Sequence, residues 1–383
     1  MKKILYVTTI SGFLPQFEKN DVKIMQNLGY EVHYASNFQN PIYTFDEEEL
    51  KRQGIILHDI PIQKSPARIK QNWKAVRQLK KIIDTENIDI IHCHNPMGGV
   101  DARIAAHMSR KKPYVIYTAH GLHFYKTAPL QNWIFFYPVE KFLAKWTDTI
   151  ITINKEDYLF VRNKFRLRRE NSVFQIHGVG VNMERFQAKP DIRNKKREQL
   201  HIPVDAFHIV TAAELNENKN QSVVIKAIAE LDREDIFYSI CGKGPYEREL
   251  VDLIRQLHLE KQVQLLGFRT DMDEILQTAE VFAFPSIREG LGVAAVEALA
   301  CGVPLVVADN RGTREYSIHG KNAIVCNAGD ITAFKEAIYK LYSNRSYRDG
   351  LSANCRGVAE KFSSDEVMKT MEMIYKHADQ TIS

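Results

Sequence analysis

The chain has 383 residues, of which 44% are hydrophobic and 26% charged, with a formal net charge of +5. That length is enough for two domains, and the composition is that of an ordinary globular protein without low-complexity runs or repeats. No run of 18 apolar residues occurs, so no membrane-spanning helix is expected, and five cysteines (Cys93, Cys241, Cys301, Cys326, Cys355) without pattern exclude a disulfide framework or a zinc motif and read as reduced, cytosolic thiols.

The opening MKKILYVTTISGF is too short in its apolar core for a signal peptide and has no small-residue cleavage site. It reads as a buried first strand followed by the loop Ile10-Ser11-Gly12-Phe13, and no G-x-G-x-x-G fingerprint accompanies it. A helix over about 15–28, the strand YEVHYAS, the strand IILHDIP and a helix from near Pro66 follow. NIDIIHCH is a strand, Asn95 to Gly99 a loop, ARIAAHMS a helix and YVIYTAH a strand. Strand alternating with helix calls for a parallel sheet covered on both faces. His120 stands at the carboxyl end of YVIYTAH, where such sheets present functional groups, and Gly121 lets the chain turn there. His94 and His123 are lesser candidates, and His92 reads as packing.

Next comes HFYKTAPLQNWIFFYPVEKFLAKW, dense in aromatics with Lys126, Lys141 and Lys145 interleaved. Two readings stand: a buried helix with solvated lysines, or a surface that meets a lipid carrier. A second segment supports the lipid reading. KSPARIKQNWKAVRQLKK sets Arg68, Lys70, Lys74, Arg77, Lys80 and Lys81 around a helix carrying Ile69, Trp73, Val76 and Leu79, and such a helix can lie on anionic lipid. Lys164, Arg166, Arg168 and Arg169 form a third basic patch; no nucleic-acid motif accompanies any of them, so nucleic acid ranks below membrane as a partner. After WTDTIITINKEDY and NSVFQIHGVGVNMERF, the polar, proline-punctuated AKPDIRNKKREQLHIP contains the expected linker and the approach to the second domain.

The second half repeats the alternation: FHIVTAAEL, the loop NENKNQ, the helix SVVIKAIAEL, then IFYSICGKGPYEREL and VQLLGFRTDMDEIL. Asp271 and Asp273 make a formal D-x-D, a metal signature elsewhere, but here they read as a helix start capped by Thr270 or Asp271, and no catalytic metal is expected. Residues 281–308 are the most informative. VFAFPS is a strand, Ile287 to Gly290 a turn, and a helix begins near Leu291 or Gly292 with Val293, Val296, Ala298 and Leu299 inward. Gly302 is placed as a C-cap, Pro304 stops the helix, and PLVVAD is the next strand. Gly290, Leu291 and Gly292 give the helix N-terminus little bulk, so its amides can meet an anion. Glu289 before them and Glu297 more than a turn inside the helix suit hydroxyl groups on either side of a diphosphate.

The E-x7-E spacing, with SIREGLG before and EALACGVPLVV after it, resembles glycosyltransferase family four of the exopolysaccharide and capsule type. The resemblance spans essentially the whole chain. It implies a GT-B fold: an acceptor-binding Rossmann-like domain over 1–187, a nucleotide-sugar domain over 188–362, and a final helix over 363–383 crossing back at Phe362-Ser363-Ser364. It implies a retaining, metal-independent hexosyltransferase without cofactor, with its active site in the interdomain cleft. A UDP-sugar would give a hexose or N-acetylhexosamine to a lipid-linked saccharide, on the cytoplasmic face of the membrane.

By the same resemblance Glu289 holds the sugar, Glu297 the ribose, and Lys219 neutralises the diphosphate with the Gly290–Gly292 amides. His120, in T-A-H-G, hydrogen-bonds donor sugar or acceptor; Gly12 and His94 face the acceptor. Gly242 and Gly244 admit the nucleotide, and Phe268 and Arg269 meet the base. Two departures stand out. Only Gly12 remains of a usually glycine-rich loop, and Glu214 occupies the place of an arginine, with Arg288 or Lys243 as compensating cations. The alternatives are a UDP-sugar 2-epimerase, which E-x7-E fits poorly, and an inactive sugar-nucleotide-binding partner of a glycan assembly complex.

Overall fold

The computed structural model describes residues 1–39 and 45–382. The chain divides into two compact units, one of Met1–Val179 with Asp365–Ser383 and one of Gly180–Ser364. The breaks fall at 179/180 and 364/365, beside the 187/188 and 362/363 read from sequence. Their physical mark is a short pairing: Val181 donates to Phe362 O at 2.8 Å, and Ser364 donates to Val181 O at 2.9 Å. A Cβ on Gly180, whose φ is +81°, would lie 2.6 Å from Ser364 Cα, so the contact needs glycine.

The described residues of the first unit form a seven-stranded sheet. Its strands are β1 (Lys3–Val7), β2 (Glu31–Ser36), β3 (Ile55–Asp59), β4 (Ile90–His94), β5 (Tyr114–Ala119), β6 (Thr149–Thr152) and β7 (Val173–Gln175). All pairs are parallel, in the order β3-β2-β1-β4-β5-β6-β7. The central strands β1, β4 and β5 are buried at nearly every position because helices cover both faces. One expected helix splits into Phe13–Phe17 and Lys19–Asn27. The expected loop 95–99 is mostly helix, which starts at Pro96: proline suits the first turn, and Gly99 lets the helix close on Tyr117, whose ring a Cβ there would meet at 2.5 Å. The closing helix Ser364–Ile382 packs on this sheet, with Tyr375 fully buried and its hydroxyl 2.7 Å from His92 Nδ1 and 3.1 Å from the Tyr6 hydroxyl.

In the second unit the described strands are β8 (Phe207–Ala212), β9 (Ile236–Cys241), β10 (Val263–Gly267), β11 (Val281–Phe284), β12 (Leu305–Ala308) and β13 (Ala323–Cys326), again parallel, in the order β10-β9-β8-β11-β12-β13. NRGTREYSIHGKNAIVC is a loop leading to β13, which pairs parallel with β12. Residues 188–203 pack within this unit. Arg197 is fully buried, donating to the carbonyls of Pro203, Val204, Ala206 and Thr278 and to Glu280. A guanidinium so buried needs all its donors met, and these loops supply the acceptors.

Candidate active site

In each sheet the strand order reverses once, between β1 and β4 and between β8 and β11. Loops leaving the carboxyl ends of two such strands diverge, and the crevice between them is where open α/β sheets bind ligands. The loops after β1 and β4 carry Gly12 and follow His94, and those after β8 and β11 carry Lys219 and Glu289 to Gly292.

In the second unit the loops after β8 and β11 are stitched together. Ile287 donates to Asn218 O at 2.8 Å, and Asn218 Nδ2 to Arg288 O at 2.9 Å. Asn216 caps the short turn at Lys219, accepting from its amide at 3.1 Å. The outcome is that Lys219 Nζ sits 2.5 Å from Glu289 Oε1, and 5.6 Å above the Phe284 ring. Glu289 is buried, so the ammonium is what compensates its charge. The loop after β12 closes over Glu289: a Cβ on Gly312 would lie 2.7 Å from Glu289 Cβ, and Arg311 Nε donates to Glu289 O at 3.4 Å.

The helix Val293–Ala300 follows, with Gly292 as its N-cap. Gly292 has φ +96°, and a Cβ there would reach 2.6 Å from the Phe284 ring and 2.7 Å from the Tyr316 hydroxyl, so no other residue fits. The amides of Leu291 and Gly292 have no hydrogen-bond acceptor among the described residues. Amides left open at a helix N-terminus suit an anion. Glu297 lies on this helix, partly buried, and burial pushes its carboxyl up to about 7 against the pull of Arg185.

Several other expected site residues make contacts within the protein itself. Gly242 and Gly244 are required by the protein's own backbone: Cβ atoms there would stand 1.8 Å from Ala213 O and 2.2 Å from Leu215 O. Phe268 is exposed, and Arg269 is held by both its Nε and Nη2 on Asp271. The D-x-D carboxylates are spent on cations: Asp271 on Arg269 and Lys196, Asp273 on Arg185 at 3.1 Å and Lys189 at 3.0 Å. Asp271 lies at the helix N-cap, but its side chain makes no cap bond. Glu214 is exposed; of the two proposed substitutes for the arginine, Arg288 is partly buried beside Glu289 and Lys243 is exposed.

In the first unit, Gly12 is buried at the start of the helix Phe13–Phe17, with an ordinary φ of −79°. Phe13 sets its ring edge-on to His120, centroids 5.0 Å apart. His120 Nε2 lies 3.2 Å from His94 Nδ1. Burial lowers His120 to about 4 and holds His94 well below its ordinary value, so both rings are neutral near pH 7. His92 is a satisfied core residue, bonded at 2.7 Å to both Tyr375 and Thr118, and His123 stacks on Phe136. Glu18 was not legible as a site residue. In QFEKND it reads as an exposed helix turn, yet it is buried, with Oε1 3.4 Å from His94 Nδ1 and 3.9 Å from His120 Nε2. Burial and the neighbouring Asp21 raise its carboxyl well above the usual range.

The aromatic helix is Leu130–Ala144. Its inner face carries the buried Leu143 and Ala144, with Trp133, Phe136 and Tyr137 packed on the core. Its outer face leaves Leu130 (74% exposed), Ile134, Phe135 (70%), Val139 and Phe142 in solvent. On the basic helix Ile69–Glu86, Val76 and Leu79 face the core while Ile69 and Trp73 are exposed beside Lys70, Lys74 and Arg77. In the third basic patch, Arg168 and Arg169 are held on Asp148 at 3.3 and 3.4 Å. No described helix is long and apolar enough to cross a membrane, and all five cysteines are buried and unpaired.

Residues 192–358 match the family described as glycosyl transferases group 1, and residues 3–154 match glycosyl transferase 4-like. The putative glycosyltransferase EpsD of Bacillus subtilis is 39% identical over 98% of this chain and 96% of its own. The chain belongs to the group 1 glycosyltransferases. Capsular polysaccharide biosynthesis glycosyltransferase CapM of Staphylococcus aureus is 25% identical over 98% of this chain and 97% of its own. Anabaena HepE, solved in complex with UDP, superposes with a TM-score of 0.79 at 19% identity, covering 98% of this chain and all of that one, and shows that the fold of this glycosyltransferase is GT-B.

Proposed function

We propose that this enzyme transfers a hexose or N-acetylhexosamine from a UDP-sugar to a lipid-linked saccharide, with retention and without a catalytic metal, while peripherally bound to an anionic membrane. The observation that carries the donor assignment is the Lys219–Glu289 pair at the β8/β11 switch point, beside the open amides of Leu291 and Gly292. On donor binding the diphosphate takes over Lys219 and those amides. The leaving group's charge is then met by an ammonium, helix amides and the dipole, all in place before reaction. Glu289, freed of its partner, accepts from sugar hydroxyls, and Glu297 from the ribose. No second carboxylate is assigned as nucleophile, so the leaving phosphate itself assists attack from the same face.

The likeness to HepE, whose structures include UDP and UDP-glucose, supports a UDP-sugar. A relative in Escherichia coli, 26% identical over 75% of this chain and 74% of its own, is a UDP-Gal:alpha-D-GlcNAc-diphosphoundecaprenol galactosyltransferase, which supports a lipid-linked acceptor. The exposed apolar face of Leu130–Ala144 and the exposed Ile69 and Trp73 with their lysines supply what an interfacial protein needs: apolar side chains for the acyl boundary and cations for anionic headgroups. Gly242, Gly244, Phe268 and Arg269 are assigned to the nucleotide, Gly12, His94 and His120 to the acceptor side.

The test is UDP release from a panel of UDP-sugars with and without undecaprenyl-diphosphate-linked saccharides, with the product's anomeric configuration read by NMR. Acceptor-dependent release with retained configuration is expected. Glu214 favours one other reading, an inactive nucleotide-binding partner; UDP binding without release from any donor would establish it in place of the enzyme.

A further inference from the structure

Three ligating atoms from three separate chain segments converge in the first unit. Glu18 Oε1 comes from the turn before the helix Lys19–Asn27, His94 Nδ1 from the end of β4, and His120 Nε2 from just past β5. Their separations are 3.2 Å between the histidines, 3.4 Å from Glu18 to His94 and 3.9 Å from Glu18 to His120. The nearest point equidistant from atoms so spaced lies in their plane about 2.0 Å from each, within the range of Zn²⁺ bonds to an imidazole nitrogen or a carboxylate oxygen. Glu18 Oε1 is buried and takes part in no hydrogen bond among the described residues. A carboxylate oxygen aimed at two ring nitrogens yet bonded to neither has the geometry of a ligand around a common centre.

The surroundings fit. Asp21 hydrogen-bonds the Glu18 carboxyl and itself accepts from the Tyr375 hydroxyl at 2.8 Å, the kind of outer support that orients a metal-binding carboxylate. His94 is wholly buried, whereas the His120 side chain is 23% exposed and leaves a way in for an ion and a fourth ligand. Two imidazoles, one carboxylate and an open position form the donor set of an accessible zinc site rather than of a calcium or magnesium site.

We propose that Glu18, His94 and His120 bind one divalent first-row ion, Zn²⁺ foremost, with one coordination position open. The site goes beyond the proposed transfer reaction and has no part in holding the donor diphosphate. It occupies His120 Nε2, so loading it withdraws that nitrogen from any substrate, and micromolar Zn²⁺ inhibits transfer.

The full chain, freed of metal by chelator and dialysis, is titrated with Zn²⁺ by calorimetry, and the zinc retained after gel filtration is measured. One equivalent is expected. Glu18→Gln and His120→Ala should each weaken binding by at least about 10- to 100-fold; the partly exposed His120 makes the second variant the safer one to fold. His33→Ala, which breaks the separate His33–His58 contact of 2.9 Å, should leave the affinity unchanged. Retention of well under one equivalent, or stoichiometric binding that survives His120→Ala intact, would overturn the site. Because the readout is zinc, failure of the transfer assignment would leave this result standing, and the reverse.

Discussion

Lys219→Met tests the centre of the donor site. The pair it breaks is half-way between two regimes: Glu289 is buried, whereas the Lys219 side chain is 20% exposed. Exposed pairs contribute about 0–1 kcal/mol, and stranding a buried charge costs about 3–5 kcal/mol, so a loss of about 2 kcal/mol is expected here. In a unit of this size that lowers its melting temperature by about 4–8 °C. Glu289→Gln added to Lys219→Met removes the stranded charge and should recover most of that loss. Catalysis should behave differently. With the ammonium gone from the leaving diphosphate, turnover should fall about a hundredfold or more, about 2.7 kcal/mol of transition-state stabilisation, and the second substitution should restore none of it. The assays are calorimetric unfolding of the two single variants and the double variant, and nucleotide release under saturating donor. Turnover of Lys219→Met within a few-fold of the unmodified enzyme would refute the diphosphate role. A melting point unmoved by it would refute the compensation argument for Glu289.

Glu297 has its folded carboxyl raised to about 7 by burial, so the folded state keeps a proton that the unfolded chain releases near its ordinary 4.5. Stability should therefore fall as pH rises through the window from about 4.5 to 7, relative to Glu297→Gln, whose curve lacks that slope; parallel curves would contradict the burial argument. Glu297→Ala should mainly raise the donor KM, and unchanged donor affinity would count against the ribose role. Gly292→Ala forces a side chain into a left-handed position against Phe284 and Tyr316, and should cost about 2 kcal/mol or more in denaturant unfolding as well as UDP affinity. Ile134→Glu with Phe135→Glu should release the protein from phosphatidylglycerol vesicles in flotation assays, whereas charge reversal at Lys74, Arg77 and Lys81 should weaken binding mainly at low salt. Undiminished flotation of both variants would remove these helices as the membrane contact.

Periodicity and punctuation carried the architecture. Apolar strands spaced by amphipathic helices can only form parallel sheets, because each helix must return the chain to the same edge. The unit from Val281 to Ala308 was legible for a local reason: glycines at 290 and 292, the helix between two strands and two glutamates seven residues apart all act within one βαβ segment. Contacts between distant segments were not legible. Nothing in QFEKND marks Glu18 as buried beside two histidines from other strands; only closure of the sheet between β1, β4 and β5 brings them together. The glycines at 242 and 244 were visible, but not their reason, which is the loop after β8. The same limit hid Arg197, whose polar sequence neighbours give no sign of the carbonyl partners that bury it. Spacing along the chain thus determined the elements and the residue types at the site. Which charges meet, and which of them lose water, was decided by tertiary packing, because a side chain's electrostatics depend on neighbours tens to hundreds of residues away.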